Sequence, residues 1–588
     1  MSIPCYKHIS ILSPKKTKNM TTSTTPNDVL PFENKFDSIQ YWNTQAADFV
    51  YPEMAPGSQN YAPIQNRANA GICVSGGGSV SASLIAGYYA ALSQLNIMSN
   101  LRYISGVSGG TWGSAPYVYS GISSFSGAPA LPAAIILDDL TNTAPDSMQS
   151  AVATADIADT CTKLLVEAKT FHTPENRVYE IGVGKCFLNP FNINSPNMNV
   201  TINPPASAEF FSSTTGMVTD IQGRNTKVGN KFMTMANNMP FLIMNATMFV
   251  PVKQEGMDPT NYICPFEITP LYSGIKAPQT IPGCTQSIGG VFVESFGFNT
   301  TLTGVQDGVA QATGTYPFEL CQPVGASGAA LESMLESAAP QLLGCFPQFN
   351  YWNPLQPGGL QTEPYDFGDG GCIEDTGITS LLARGVENIG VFLTEPVFFP
   401  GTDTVGCSGF TERVFGYNQI AVLFGAELID ADASAANNQL EYISPTSTTK
   451  QVFESSAFQP LLTSLLNART AGNGMVVSVP NMTVVANSLF GISQVAGYTP
   501  NVVWSVIDKA SNWATPALSA WMKSQPDDTL IDFPEVAVFF QNPSNIIELT
   551  APQTNLLADF GYWMVMNNQD TFTGVLTPTA TPVAAEAV

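Results

Sequence analysis

The sequence predicts an α/β fold: three layers, with a mostly parallel central sheet, helices on both faces and cap insertions. Two observations carry this reading. First, the chain has 588 residues, 44% of them hydrophobic, enough for a large core. Second, two adjacent segments each read as a short apolar strand, a glycine-rich turn and a helix. Neighbouring units of that kind build a parallel sheet whose crossovers pack on its faces.

Residues 1–34 read as a disordered leader: the first 27 hold several lysines, many Ser and Thr, and no acidic residue. They lack the continuous apolar run of a secretory signal and are loosely compatible with organellar import. Residues 35–570 read as one catalytic-size domain, with cap elements expected within 120–235 and 400–535. Residues 571–588 end in "TPTATPVAAEAV" and read as a disordered tail. No run reaches the roughly 18 apolar residues of a membrane span.

The first unit starts at Ile72–Val74 and turns at Gly76-Gly77-Gly78. The helix that follows places Leu84, Tyr88, Leu92 and Leu95 on one face, flanked by Ile85 and Tyr89. The second unit is "LRYIS", then Gly106-Val107-Ser108-Gly109-Gly110, then a helix from Gly109. A third turn, Asp369-Gly370-Gly371, precedes a helix near Ile378–Ala383 and a strand over Asn388–Leu393.

Composition narrows the partners. With 46 Asp+Glu against 22 Lys+Arg, the net charge is -24. Such a surface repels phosphate backbones and anionic leaflets, so no nucleic acid is expected. The ten cysteines include no Cys-X-X-Cys pair and read as scattered buried thiols. With two histidines, His8 and His172, a zinc cluster is not expected, and neither is any other metal or cofactor.

A serine on a sharp strand-to-helix turn is presented at the carboxyl end of a sheet. The backbone N–H groups of Gly76, Gly77 and Gly78, on the neighbouring turn, suit an oxyanion formed when a serine attacks an ester. Each motif has a plainer reading. Gly-X-Ser-X-Gly arises by chance, a glycine-rich turn can hold a nucleotide, and Asp-Gly-Gly is commonly only a turn. No Gly-Lys-Ser/Thr or Gly-X-Gly-X-X-Gly is present here to favour a nucleotide.

Taken together and in order, these motifs resemble the patatin-like phospholipases. The nearer branch is the catalytic domain of cytosolic phospholipase A2 and fungal lysophospholipase (phospholipase B). "MPFLIMNATM" at Met239, "FEITPLYSG" at Phe266, "GGVFVESFGF" at Gly289 and "ARGVENIGVF" at Ala383 resemble further segments of that branch. The resemblance implies a lipid acyl hydrolase with a Ser-Asp dyad and no histidine. Ser108 is then the nucleophile, Asp369 the base, and Gly76, Gly77 and Gly78 with Gly109 the oxyanion hole. It implies a lipid substrate (lysophospholipid, phospholipid or acylglycerol) met at a membrane or micelle surface. It also implies a cytoplasmic protein, peripheral at membranes or lipid droplets.

Three departures bear on specificity. Val80 stands where the family's cytosolic phospholipases carry an arginine for the substrate phosphate. Arg384 matches another family arginine and is the candidate substrate-binding cation, or a brace for the turn. Asp375 stands where the family has Asn, and a like charge there is expected to raise the pKa of the base. An acyltransferase on the same dyad and a non-catalytic lipid-binding protein of the same fold are the alternatives.

Overall fold

The structure, a computed structural model, describes residues 34–577 except 57–60, 172–174, 194–208, 229–230, 253–259, 283–286, 315–316, 331–343, 357–361, 396, 398, 400–418, 431–439, 444–448, 494–496, 532 and 535–546. The elements that build the site are, in chain order, β1 (Ala70–Val74), α1 (Gly78–Gln94), β2 (Tyr103–Val107), α2 (Gly109–Ser120), β3 (Phe241–Val252), β4 (Thr260–Ile268), α3 (Cys321–Ser327), β5 (Glu363–Asp369), α4 (Ile378–Ala383), β6 (Asn388–Leu393), β7 (Met475–Val479), β8 (Asn501–Val506), α5 (Ala551–Asn567) and α6 (Gln569–Leu576).

All residues of β1, β2 and β6 are buried. Strands covered on both faces carry continuous apolar runs instead of alternation, and these three do. They lie inside a twelve-stranded sheet. Its central order is β3-β2-β1-β6-β8, and every pairing among these five is parallel. The sheet expected to be mostly parallel is therefore mixed: only this site-bearing centre is parallel, and most of the other pairings are antiparallel. The flanks are antiparallel: β7 pairs β8 on one side, and β4 pairs β3 on the other. Beyond β4 the chain returns after Ile268 to a strand at Tyr272–Ile275, a connection too short for a parallel crossover.

The register separates the two faces. Ile72 pairs with Gly390 and Val74 with Phe392, so these four point to one face. On that face Tyr88 of α1 lies 4.5 Å from the Phe392 ring, and Phe572 of α6 stacks on the same ring at 5.6 Å. Gly71 and Ile389 point to the other face, where a Cβ on Gly71 would touch Leu381 of α4 at 3.3 Å. Helices therefore cover both faces, completing three layers. α1 is buried nearly all round, not along one stripe, because α5 packs on its outer side. Leu95 falls just past its end and is half-buried.

Two sequence readings change here. The tail expected from 571 begins as α6, held by Phe572 and Leu576, both fully buried. Residues 578–588 and the leader through 33 lie outside the described residues. Six described cysteines are free and buried, but Cys372 is disulfide-bonded, a pairing that sequence spacing does not reveal. Among the described residues no helix is long and apolar enough to cross a membrane.

Candidate active site

β3 brings two distant chain segments together. Along one edge, β2 runs parallel to it up to the pair Val107–Asn245. Further along that same edge, β5 runs antiparallel to it and ends at the pair Asp369–Ala246. β4 occupies the opposite edge, so β2 and β5 abut end to end. Ser108 follows Val107 and Asp369 closes β5, so both meet beside Ala246.

Side chains of β3 fix the two ends. Asn245 Nδ2 donates to the Gly106 carbonyl and to Ser105 Oγ, each at 2.9 Å. Thr247 Oγ1 donates to the Asp369 carbonyl at 2.8 Å. Ser327, the last residue of α3, accepts the Ser108 N–H at both its carbonyl and its Oγ, each at 3.1 Å. Its hydroxyl donates in turn to the Asn245 carbonyl at 2.6 Å. Sequence reading gave none of these three side chains a role in the site. Asn245 and Thr247 were visible within "MPFLIMNATM", a segment noted for its likeness to a family strand but assigned no duty at the site.

Ser108 sits at φ 51°, ψ -123°, a strained conformation for a residue with a side chain. Its carbonyl accepts from Thr111 and Trp112, which starts α2 at once. The result is a sharp elbow with the hydroxyl projecting from the turn. That hydroxyl faces the Asp369 carboxyl closely enough to lower its proton affinity. Asp369 Oδ1 also accepts the Gly371 N–H at 2.7 Å. Burial pushes the Asp369 carboxyl up to about 6, the neighbouring Ser108 hydroxyl and the Gly371 N–H oppose the rise, and nearby Glu395 adds to it. Like charge also acts between Asp369 and Asp375, and its effect falls on Asp375. Its own carboxyl is held well above the usual range by burial, and then by Glu395, Asp369 and Glu374. The Asp375 carboxyl therefore resists ionisation more than an ordinary aspartate does.

The two glycine turns touch. A Cβ on Gly109 would lie 2.1 Å from the Gly78 carbonyl oxygen, so only glycine allows this approach. Gly78 opens α1 and Gly109 opens α2, so the positive ends of two helices face Ser108. Among the described residues nothing accepts from the N–H groups of Gly77, Gly78 or Gly109. Gly76 differs. Its N–H is engaged with Asp375, 3.2 Å from Oδ1 and 3.3 Å from the carbonyl, which removes it from the expected oxyanion donors.

Arg384 is also corrected. Its side chain is 1% exposed and pairs with Glu53 at 3.2 Å and Glu267 at 2.7 Å. It also donates to Tyr272 Oη and lies over the Tyr51 ring. This cluster sits beside Tyr103, the first residue of β2, at the opposite end of the strand from Ser108. It braces the N-terminal segment against the sheet and offers nothing to a substrate. Val80 is fully buried in α1. His8 and His172 lie outside the described residues. Ser108 and Asp369 are 6% and 5% exposed. Among the described residues no group of three His, Cys, Asp or Glu is arranged to hold a metal.

No family model matches this chain. No curated protein matches it either. Among solved structures, human GIVD cytosolic phospholipase A2 is similar with a TM-score of 0.40 and 13% identity, over 86% of this chain and 60% of that one. The same human protein in complex with methyl gamma-linolenyl fluorophosphonate gives a TM-score of 0.36 and 12% identity, over 87% and 58%. The chain thus spans about three fifths of the length of the structures it matches.

Proposed function

We propose that this chain is a lipid acyl hydrolase that cleaves fatty acyl esters through Ser108 and Asp369. The observation that carries the reading is the Ser108 hydroxyl on its strained elbow, brought by strand pairing beside a buried carboxyl that burial pushes up to about 6. A base of that strength is ionised at neutral pH and still able to take a proton. Ser108 Oγ attacks the ester carbonyl as its proton passes to Asp369. The N–H groups of Gly77, Gly78 and Gly109 face the oxyanion. Asp369 then returns the proton to the leaving alcohol, giving an acyl-serine. Water deprotonated by Asp369 attacks that ester, the fatty acid leaves, and the proton returns to Ser108 Oγ.

The two positions offered by sequence for a substrate phosphate, Val80 and Arg384, are both buried. Neutral glycerolipids and lysolipids are therefore the preferred class, met at a membrane or micelle surface. The catalytic domain extends from about residue 35 through α6. The test is a fluorophosphonate probe with a panel of lipids. Labelling abolished in Ser108→Ala, with fatty acid released from one lipid class, supports the reading. Equal labelling of wild type and Ser108→Ala, or no release from any lipid, refutes it.

A further inference from the structure

Asp375 lies six residues past the base, and its Oδ1 is wedged between both halves of the site. A Cβ on Gly76 would fall 2.4 Å from that oxygen, and a Cβ on Gly371 would fall 2.5 Å from it. The same hypothetical Cβ atoms would lie 3.1 Å from Ser108 Cβ and 3.1 Å from Asp369 Oδ1, respectively. One buried carboxyl thus touches the loop that carries Gly77 and Gly78 and the turn that carries the base. Its oxygen accepts the Gly76 N–H at 3.2 Å, which sets the direction of the next two N–H groups.

The groups facing it are mostly acidic. Asp369 comes from the end of β5, Glu374 is its neighbour in the chain, and Glu395 follows β6. The half-buried Lys450 also faces Asp375 and Glu374, but burial lowers its own proton affinity. Glu374 is occupied with Thr376 N–H at 2.6 Å and Thr379 Oγ1 at 3.1 Å. In such surroundings a second charge would repel the forming oxyanion and would trap the proton on Asp369.

We propose that Asp375 is a positioning residue for this reaction, holding the Gly76–Gly78 loop in register with Ser108 as a neutral acid, and that its ionisation slows the chemistry. The contact supplies a hydrogen-bond acceptor without adding charge beside the oxyanion. The inference rests on the hydrolase reading, and it predicts a two-sided pH profile. Rate rises as Asp369 ionises near 6 and falls again when Asp375 loses its proton.

The test compares wild type, Asp375→Asn and Asp375→Ala on a soluble short-chain ester across the pH range. Asparagine keeps the acceptor and cannot ionise. It is expected to retain the acid limb and abolish the alkaline one. Alanine leaves the loop unheld and is expected to lower kcat by about tenfold or more at every pH, with KM within about twofold. An alkaline limb that persists in Asp375→Asn overturns the proposal, as does a loss equal to that of alanine. Infrared spectra give a readout independent of turnover. At neutral pH a protonated carboxylic acid band present in wild type should be missing from Asp375→Asn, and its absence from wild type overturns the neutral acid. If the band is present but Ser108 is not labelled by a fluorophosphonate, the hydrolase reading fails, and with it the catalytic purpose of the contact, while the neutral acid stands.

Discussion

Asp369→Asn keeps the shape of the side chain and removes both its charge and its capacity to take a proton. General-base assistance is worth about 10² to 10⁴ in rate, so kcat should fall by at least 100-fold. Stability should move the other way at high pH. Burial holds the Asp369 carboxyl at about 6 against an ordinary value of 3.8. A carboxyl raised on folding binds its proton more tightly in the folded chain. Its stabilising contribution is therefore complete below 3.8 and lost as pH rises through about 6. The loss is roughly 3 kcal/mol, at about 1.4 kcal/mol per pH unit, and at 5% exposure solvent screening takes little from it. Asparagine has no such dependence. The stability of the variant relative to wild type should therefore climb by about 3 kcal/mol between about pH 4 and pH 8, whatever constant offset the substitution adds. Urea unfolding followed by tryptophan fluorescence across that range measures the climb, and kcat on a soluble ester measures the loss. A relative stability that stays flat with pH, or a folded variant with near-normal kcat, would refute the reasoning.

Arg384→Met strands Glu53 and Glu267 as buried, unpaired carboxylates, and breaking such a pair costs about 3–5 kcal/mol. The urea midpoint should fall accordingly, while the folded fraction keeps kcat/KM within about twofold, because the cluster sits at the Tyr103 end of β2. With Val80 and Arg384 both buried, a monoacylglycerol or lysophospholipid should be turned over faster than a diacyl phospholipid, and a preference of more than about tenfold the other way would sink this expectation. A chelator should leave hydrolysis of a soluble short-chain ester unchanged, since backbone N–H groups meet the developing charge; abolished turnover would show that a metal takes part.

The strand-to-helix units were legible because glycine turns punctuate apolar runs at sheet spacing. The helix at Ile378–Ala383 and the strand at Asn388–Leu393 appear at the residues where the pattern put them. The donors of the glycine loop were legible only as a group. Gly76 reads like Gly77 and Gly78 until Asp375 is seen to take its N–H, and that contact crosses 299 residues. Arg384 was equally opaque. An arginine before an apolar strand carries no sign that its carboxylate partner Glu53 stands 331 residues away. α6 was missed because "TFTGVL" directly precedes a low-complexity end, yet Phe572 has an aromatic partner in Phe392.

What sequence lacked most was the register of β3. Three consecutive residues on it have three duties: Asn245 holds the Ser108 strand, Ala246 pairs with Asp369, and Thr247 holds the Asp369 carbonyl. Side chains alternate across a strand, so a one-residue slip of β5 against β3 would carry Asp369 to the other face of the sheet. The contact between Ser108 and Asp369 is therefore specified by pairing as much as by either motif. Gly370 locks that pairing: a Cβ there would fall 2.6 Å from the Asn245 carbonyl oxygen, so any other residue would push β5 off its end position. Read this way, the glycine after the base is selected by the strand it lies against, and the carboxylate reaches the serine because β3 has room for two strand ends on one edge.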